Sequence, residues 1–193
     1  TTPTSKLFGY MDATGNYRGT AFRKAWETGG IMLIDEYDNG HPGLSAELNQ
    51  AWAGTIAAFP DGMVKQHPDF LLVTTANTYG RGADRQYVGR NPIDAATLDR
   101  FVTLTVDIDQ DLEQALALAH ATIPETQALQ WLADVRKWRN AAADARLNVV
   151  ISPRSVIDGI KLLNTGAFTR AEIISATVTN GLSAKDADMI GAK

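Results

Sequence analysis

The hexapeptide IMLIDE at 31–36 concentrates the chemistry of this sequence: a fully apolar run ends in two adjacent carboxylates, Asp35 and Glu36. Such a pair suits phosphoryl transfer to water, with one carboxylate holding Mg²⁺, usually through water, and the other orienting the attacking water. A buried strand that emerges into solvent at a polar turn would read the same way, and the hexapeptide alone leaves both accounts open. A second apolar run, FLLVTTAN at 70–77, ends in Asn77. Ligands of an open α/β sheet bind beyond the carboxyl ends of its strands, so Asn77 and the acidic pair are expected to face one crevice. An amide there can polarise the water or a terminal phosphate, although a single Asn at a strand end also caps turns well. The stretch 81–102 carries Arg81, Arg85, Arg90 and Arg100 ahead of a further apolar run. A guanidinium lent to a phosphate in a neighbouring subunit stabilises transition-state charge, and Arg100 is the candidate; the macrodipole equally favours an arginine at a helix C-terminus. Arg154 projects from the first turn of a helix that Ser152 can cap and Pro153 can open.

The elements that must position these groups fall into two textures. Up to residue 108, short β-rich runs alternate with helical stretches, the pattern of an α/β layer with a parallel sheet. LFGYM, DATG and NYR within 7–19 read as a hairpin, and TAFRKAWET as a short helix ended by Gly29-Gly30. IMLI (31–34), FLLVTTAN (70–77) and FVTLTVD (101–107) are expected strands; 43–55 and DAATLDR are expected helices. From 109 to 193 the apolar spacing is helical throughout, in DLEQALALAH, in 125–147, in 152–166 and in 168–181, which predicts a small all-α domain.

Composition bounds the reading without choosing it. The 193 residues are 45% apolar with a formal charge of −4, enough for a core and with no basic field that would draw nucleic acid or an anionic membrane. There is no cysteine, so neither a disulfide framework nor a thiolate zinc site is available. His41, His67 and His120 are far apart, and His41 and His67, each before a proline, read as turn residues rather than metal ligands. No apolar run is long enough to span a bilayer, and a cytoplasmic setting is the expectation. VRKWRN at 135–140 mixes charge with Trp138, but on a long amphipathic helix this pattern is a solvated face with a buried tryptophan more often than a nucleic-acid contact.

Taken together, GYMDATGNYRGTAFRKAWETGGIMLIDEYD, HPDFLLVTTANTYGRGADRQYVGRNPIDAATLDRF and ISPRSVIDG resemble, in this order and spacing, the AAA+ ATPases grouped with the cobaltochelatase ATPase subunit and the MoxR-type proteins, and the CobS-like ATPases in particular. The resemblance covers nearly the whole chain. It implies a partial P-loop NTPase core over 1–108 and a helical lid over 109–193. It makes Asp35 and Glu36 the Walker B acids, Asn77 the sensor-1 residue, Arg100 an arginine finger acting in trans and Arg154 the sensor-2 arginine of the lid. The implied cofactors are ATP and Mg²⁺. The implied assembly is a homo-oligomeric ring, a hexamer in the family, acting on a protein client or co-subunit. The 7–19 hairpin falls where this clade carries an insertion that often faces the central pore.

One departure stands against these agreements. The phosphate-binding loop Gly-x-x-x-x-Gly-Lys-Ser/Thr is absent, and with it the backbone cradle and lysine that anchor a triphosphate. The expectation is therefore a piece of an ATPase truncated upstream and inactive alone, with unpaired apolar strand edges where the missing strand would lie. The alternative is a non-catalytic scaffold or binding module that kept the fold. All five of Asp35, Glu36, Asn77, Arg100 and Arg154 being intact favours the first, and the absent loop favours the second.

Overall fold

The computed structural model describes residues 4–40, 42–84 and 86–192; His41 and Arg85, both singled out above, lie outside the described residues. The chain divides into two compact units, Thr1–Thr103 and Leu104–Lys193.

The first unit is mixed α/β. In chain order it contains α1 (Thr4–Phe8), the hairpin β1 (Tyr10–Met11) and β2 (Tyr17–Arg18), α2 (Ala21–Thr28), β3 (Gly30–Ile34), α3 (Pro42–Gly54), the hairpin β4 (Ile56–Phe59) and β5 (Gly62–Lys65), β6 (Phe70–Thr74) and α4 (Ala95–Leu98). Local rules explain most of these boundaries. Thr20 caps α2 through its side chain on the Arg23 amide, and Gly29 ends the helix at φ 84°, a conformation that glycine adopts without strain. Phe22 and Trp26, one turn apart on α2, are fully buried against Phe59 and Phe70. The Trp26 indole donates to the Val64 carbonyl at 3.0 Å, which fixes α2 across β5. The β1–β2 turn is held by Asp12, whose carboxylate accepts from the Thr14 amide and hydroxyl, the Asn16 amide and Arg18. Hydrogen bonds from the Thr14 hydroxyl and then the Asn16 amide hold its pKa at about 2.

β3 and β6 pair in parallel, with Ile31 opposite Leu71 and Ile34 opposite Thr74. Met32, Ile34 and Leu72 pack on the core of this unit, whereas Ile31, Leu33, Leu71 and Val73 on the opposite face are exposed. Parallel sheets ordinarily have both faces covered, so this apolar face is unusual.

Two expectations are corrected here. FVTLTVD (101–107) forms no strand: residues 102–109 have no regular secondary structure, and Val102, Leu104 and Val106 are 92%, 82% and 90% exposed. Alternating valines and leucines make a strand only where an adjacent edge takes up their backbone groups, and among the described residues β3 and β6 pair only with each other. The β4–β5 hairpin was not read from sequence, although Pro60-Asp61-Gly62 between two apolar runs is a turn signal. DAATLDR contributes only the single helical turn of α4.

The second unit is helical: α5 (Gln110–His120), α6 (Glu125–Asp144), α7 (Pro153–Thr165), α8 (Arg170–Thr177) and α9 (Ala184–Ile190). Ser152 caps α7 as expected, and Asp109, Thr169 and Ser183 cap α5, α8 and α9, with a capping box between Thr169 and Glu172 on α8; α6 starts after Pro124 without a side-chain cap. Trp131, Val135, Val156, Ile160 and Ile173 are fully buried at the centre. Gly159 lets α7 approach the Trp131 ring so closely that a Cβ there would meet it at 2.2 Å. In 135–140, Trp138 is buried with its indole on the Gly191 carbonyl, as expected. Arg136 and Arg139, however, are only partly exposed: both bind the buried carboxylate of Glu113, at 2.9 and 2.5 Å. Among the described residues, no helix is long and apolar enough to cross a membrane.

Candidate functional site

The first unit builds its site where β3 and β6 end side by side. Beyond the last paired residues the two chains stay joined, because the Thr75 amide donates to the Ile34 carbonyl at 3.0 Å and the Tyr37 amide to the Thr75 carbonyl at 2.8 Å. Asp35 and Glu36 lie in the turn so formed, with Asn77 just past the neighbouring strand. Thr75 organises the pair. Its hydroxyl donates to Asp35 Oδ1 and accepts from the Glu36 amide at 3.0 Å. Glu36 sits in the left-handed backbone region at φ 52°, ψ 48°, rare for a residue with a Cβ, and that bend sends its side chain toward Asn77.

The Glu36 carboxylate is crowded with donors. Oε1 accepts from Arg90 Nη2 at 3.0 Å and, at a long 3.4 Å, from Asn77 Nδ2; Oε2 accepts from Asn39 Nδ2 at 3.4 Å. The hydrogen bond and charge of Arg90, above all, hold its pKa below the usual carboxylate range. Asp38 lies beneath it, its side chain fully buried. One Asp38 oxygen accepts from the Thr78 amide and hydroxyl, at 3.0 and 2.8 Å, and the other is 3.4 Å from Arg90 Nη1.

The structure thus brings Asp35, Glu36 and Asn77 together. Arg100 lies in the turn after α4, exposed and without an ion pair among the described residues. Arg154 belongs to the second unit, in the first turn of α7, exposed, with its amide capped by the Ser152 hydroxyl at 3.2 Å. Thr75, Asp38 and Arg90 were not singled out by sequence reasoning as parts of the site. Asp38 ends the DEYD tetrapeptide and Arg90 is one of three arginines between residues 75 and 94, so type and spacing alone did not separate them from solvated neighbours.

Among the described residues no group of three or more His, Cys, Asp or Glu side chains gathers to hold a metal. A lone exposed Asp35 carboxylate backed by a hydroxyl still fits a hydrated Mg²⁺, which keeps most of its waters and takes one or two carboxylates plus substrate phosphates. His67 is a turn residue, its Nδ1 accepting from the Asp69 amide at 3.1 Å. For a triphosphate the fit is partial: carboxylates and an amide converge, but the sequence has no glycine-rich loop to cradle phosphate.

The mixed α/β unit, with its small parallel sheet and acidic strand end, is compatible with part of a P-loop NTPase-like fold. No family model matches the chain. It is 26% identical over 144 residues to the aerobic cobaltochelatase subunit CobS of Sinorhizobium sp., covering 69% of this chain and 43% of that protein. The chain therefore spans less than half the length of that relative. This distant, partial match supports an AAA+ ATPase-like relationship.

Proposed function

We propose that this chain carries the Walker B, sensor and lid portions of an AAA+ ATPase. Its complete gene product would hydrolyse ATP in a ring, a hexamer by resemblance, to remodel a protein partner, a chelatase co-subunit being the nearest candidate. The observation that carries the reading is the convergence of Asp35, Glu36 and Asn77 at the ends of two adjacent parallel strands, with the Asn77 amide on the Glu36 carboxylate. A water-activating base and a polar sensor are required side by side for hydrolysis.

In this reading Glu36 accepts the proton of the attacking water, and Thr75 holds the turn that aims it. Asp35 holds Mg²⁺ through water; when bound, the ion neutralises phosphate charge. Asn77 contacts the terminal phosphate, Arg154 takes the sensor-2 role that the resemblance assigns it, and exposed Arg100 is free to reach a neighbouring subunit. The chain alone, without a phosphate cradle, is expected to be inactive. The absent loop also favours a second reading, a non-catalytic AAA+-like scaffold.

Subunit mixing separates the two. In the complete gene product, Glu36→Gln and Arg100→Ala each abolish turnover, and mixing the two variants restores part of it, because a finger from one subunit completes the site of the next. Mass in solution with and without ATP reports the ring. No turnover by any combination, together with a mass indifferent to ATP, would leave the scaffold reading.

A further inference from the structure

We infer that Arg90 is a two-position switch that latches Glu36, with buried Asp38 as its second seat. The inference rests on the ATPase reading for its consequence, but the switch itself stands on geometry. The Arg90 side chain is more than nine-tenths buried and divides its guanidinium between two carboxylates, Glu36 at 3.0 Å and Asp38 at 3.4 Å. Only the Glu36 end is a formed hydrogen bond. Arg90 Nη1 and Asp38 Oδ1 face each other, both buried, and neither completes a hydrogen bond among the described residues. Buried polar groups left in that condition are costly, so a small shift of the guanidinium toward Asp38 is favoured by two atoms at once.

The position seen here is the latched one. Arg90, Asn77 and Asn39 all donate to the Glu36 carboxylate, and a carboxylate bound to a guanidinium is a poor acceptor for the proton of a water. Moving Arg90 onto Asp38 frees Glu36 while keeping the arginine's charge neutralised. The trigger is built in. The other oxygen of Asp38 binds the amide and hydroxyl of Thr78, the residue after Asn77. A displacement of the 77–78 segment therefore alters Asp38 and, through it, the division of Arg90. Arg90 is thus a positioning residue acting through Glu36, and it couples the sensor strand to the base.

Two measurements test this. In the chain itself, ¹⁵N-arginine spectra report Arg90. Glu36→Gln should shift its guanidinium resonances while leaving them protected from solvent exchange, because Asp38 takes the group over. Loss of protection, or an unmoved resonance, would overturn the second seat. In the complete gene product, Arg90→Gln should raise partner-free kcat about two- to fivefold, the scale of one ion pair whose carboxylate is half exposed, with KM unchanged. Asp38→Asn should lower kcat, and Arg90→Lys should return it toward wild type. A purely structural role predicts instead that Arg90→Gln and Asp38→Asn both lose rate in step with thermal stability, and that result refutes the switch. A wild-type protein without any turnover refutes the ATPase reading, while the arginine spectra still decide the switch.

Discussion

Substituting Gly159 by Ala tests whether close packing, rather than helix propensity, sets the position of the helix that presents Arg154. In an isolated helix the change stabilises by about 1 kcal/mol. Here the new Cβ would lie 2.2 Å from Trp131 Cε2 and Cζ2 and 2.3 Å from Nε1, in a ring with no exposed surface. Ordinary carbon contacts begin near 3.5 Å, so the ring or α7 must move by about 1.3 Å. The ring is also tied down, its Nε1 donating to the Ser155 and Val156 carbonyls at 3.3 and 3.2 Å. Overpacking of this kind costs about 3 kcal/mol at the upper end of the usual range, which leaves a net loss of about 2 kcal/mol after the propensity gain. For a unit the size of Leu104–Lys193 that corresponds to a fall in Tm of roughly 8–16 °C. Thermal unfolding followed by circular dichroism at the helical band measures it, and Trp131→Phe in the same background should return part of the loss. An unchanged or raised Tm in Gly159→Ala would refute the packing argument.

Acid should unfold the helical unit through Glu113. Burial pushes its carboxyl up, but hydrogen bonds from Arg139 and Arg136 outweigh this and hold it below its ordinary value. A depressed folded pKa gives stabilisation that is complete above the unfolded value of about 4.3 and lost as pH falls through the folded one, so Glu113→Gln should flatten the stability profile below about pH 4.5 and lower the plateau above it. Thr75→Val removes the hydroxyl shared by Asp35 and the Glu36 amide; we expect stability within about 1 kcal/mol of wild type but ATP turnover of the complete gene product reduced about tenfold, as for a misaimed catalytic group. Replacing exposed Leu33 and Leu104 with Lys should reduce binding of a hydrophobic dye and raise solubility without lowering Tm, since neither side chain is buried. A fall in Tm would mean that these side chains are packed.

The fold was legible where local signals agree with burial. Gly29 ends α2 as read, and the apolar runs at 31–34 and 70–77 supply the paired strands β3 and β6, because a helix stop and an apolar run are written in single residues. Segment 101–107 alternates apolar and polar residues yet formed no strand, since pairing depends on an edge elsewhere in space. The site divides along the same line. Asp35, Glu36 and Asn77 could be found because strand ends are recognisable and their side chains stop abruptly in polar groups. Arg90 could not: the stretch 75–94 holds three arginines with no periodicity, and only the folded turn brings Arg90 over Asp38 and Glu36. Arg136 and Arg139 likewise read as a solvated face until α5 supplied Glu113.

The most direct test of the central claim is steady-state ATP hydrolysis by the complete gene product and its Glu36→Gln variant, with the Kd for ATP measured on both. The account predicts that Glu36→Gln binds ATP within about threefold of wild type while turnover falls by two or more orders of magnitude, the usual scale for loss of a general base. Turnover that survives in Glu36→Gln would contradict the assignment of the base. A wild-type protein that binds no ATP would contradict the ATPase reading itself.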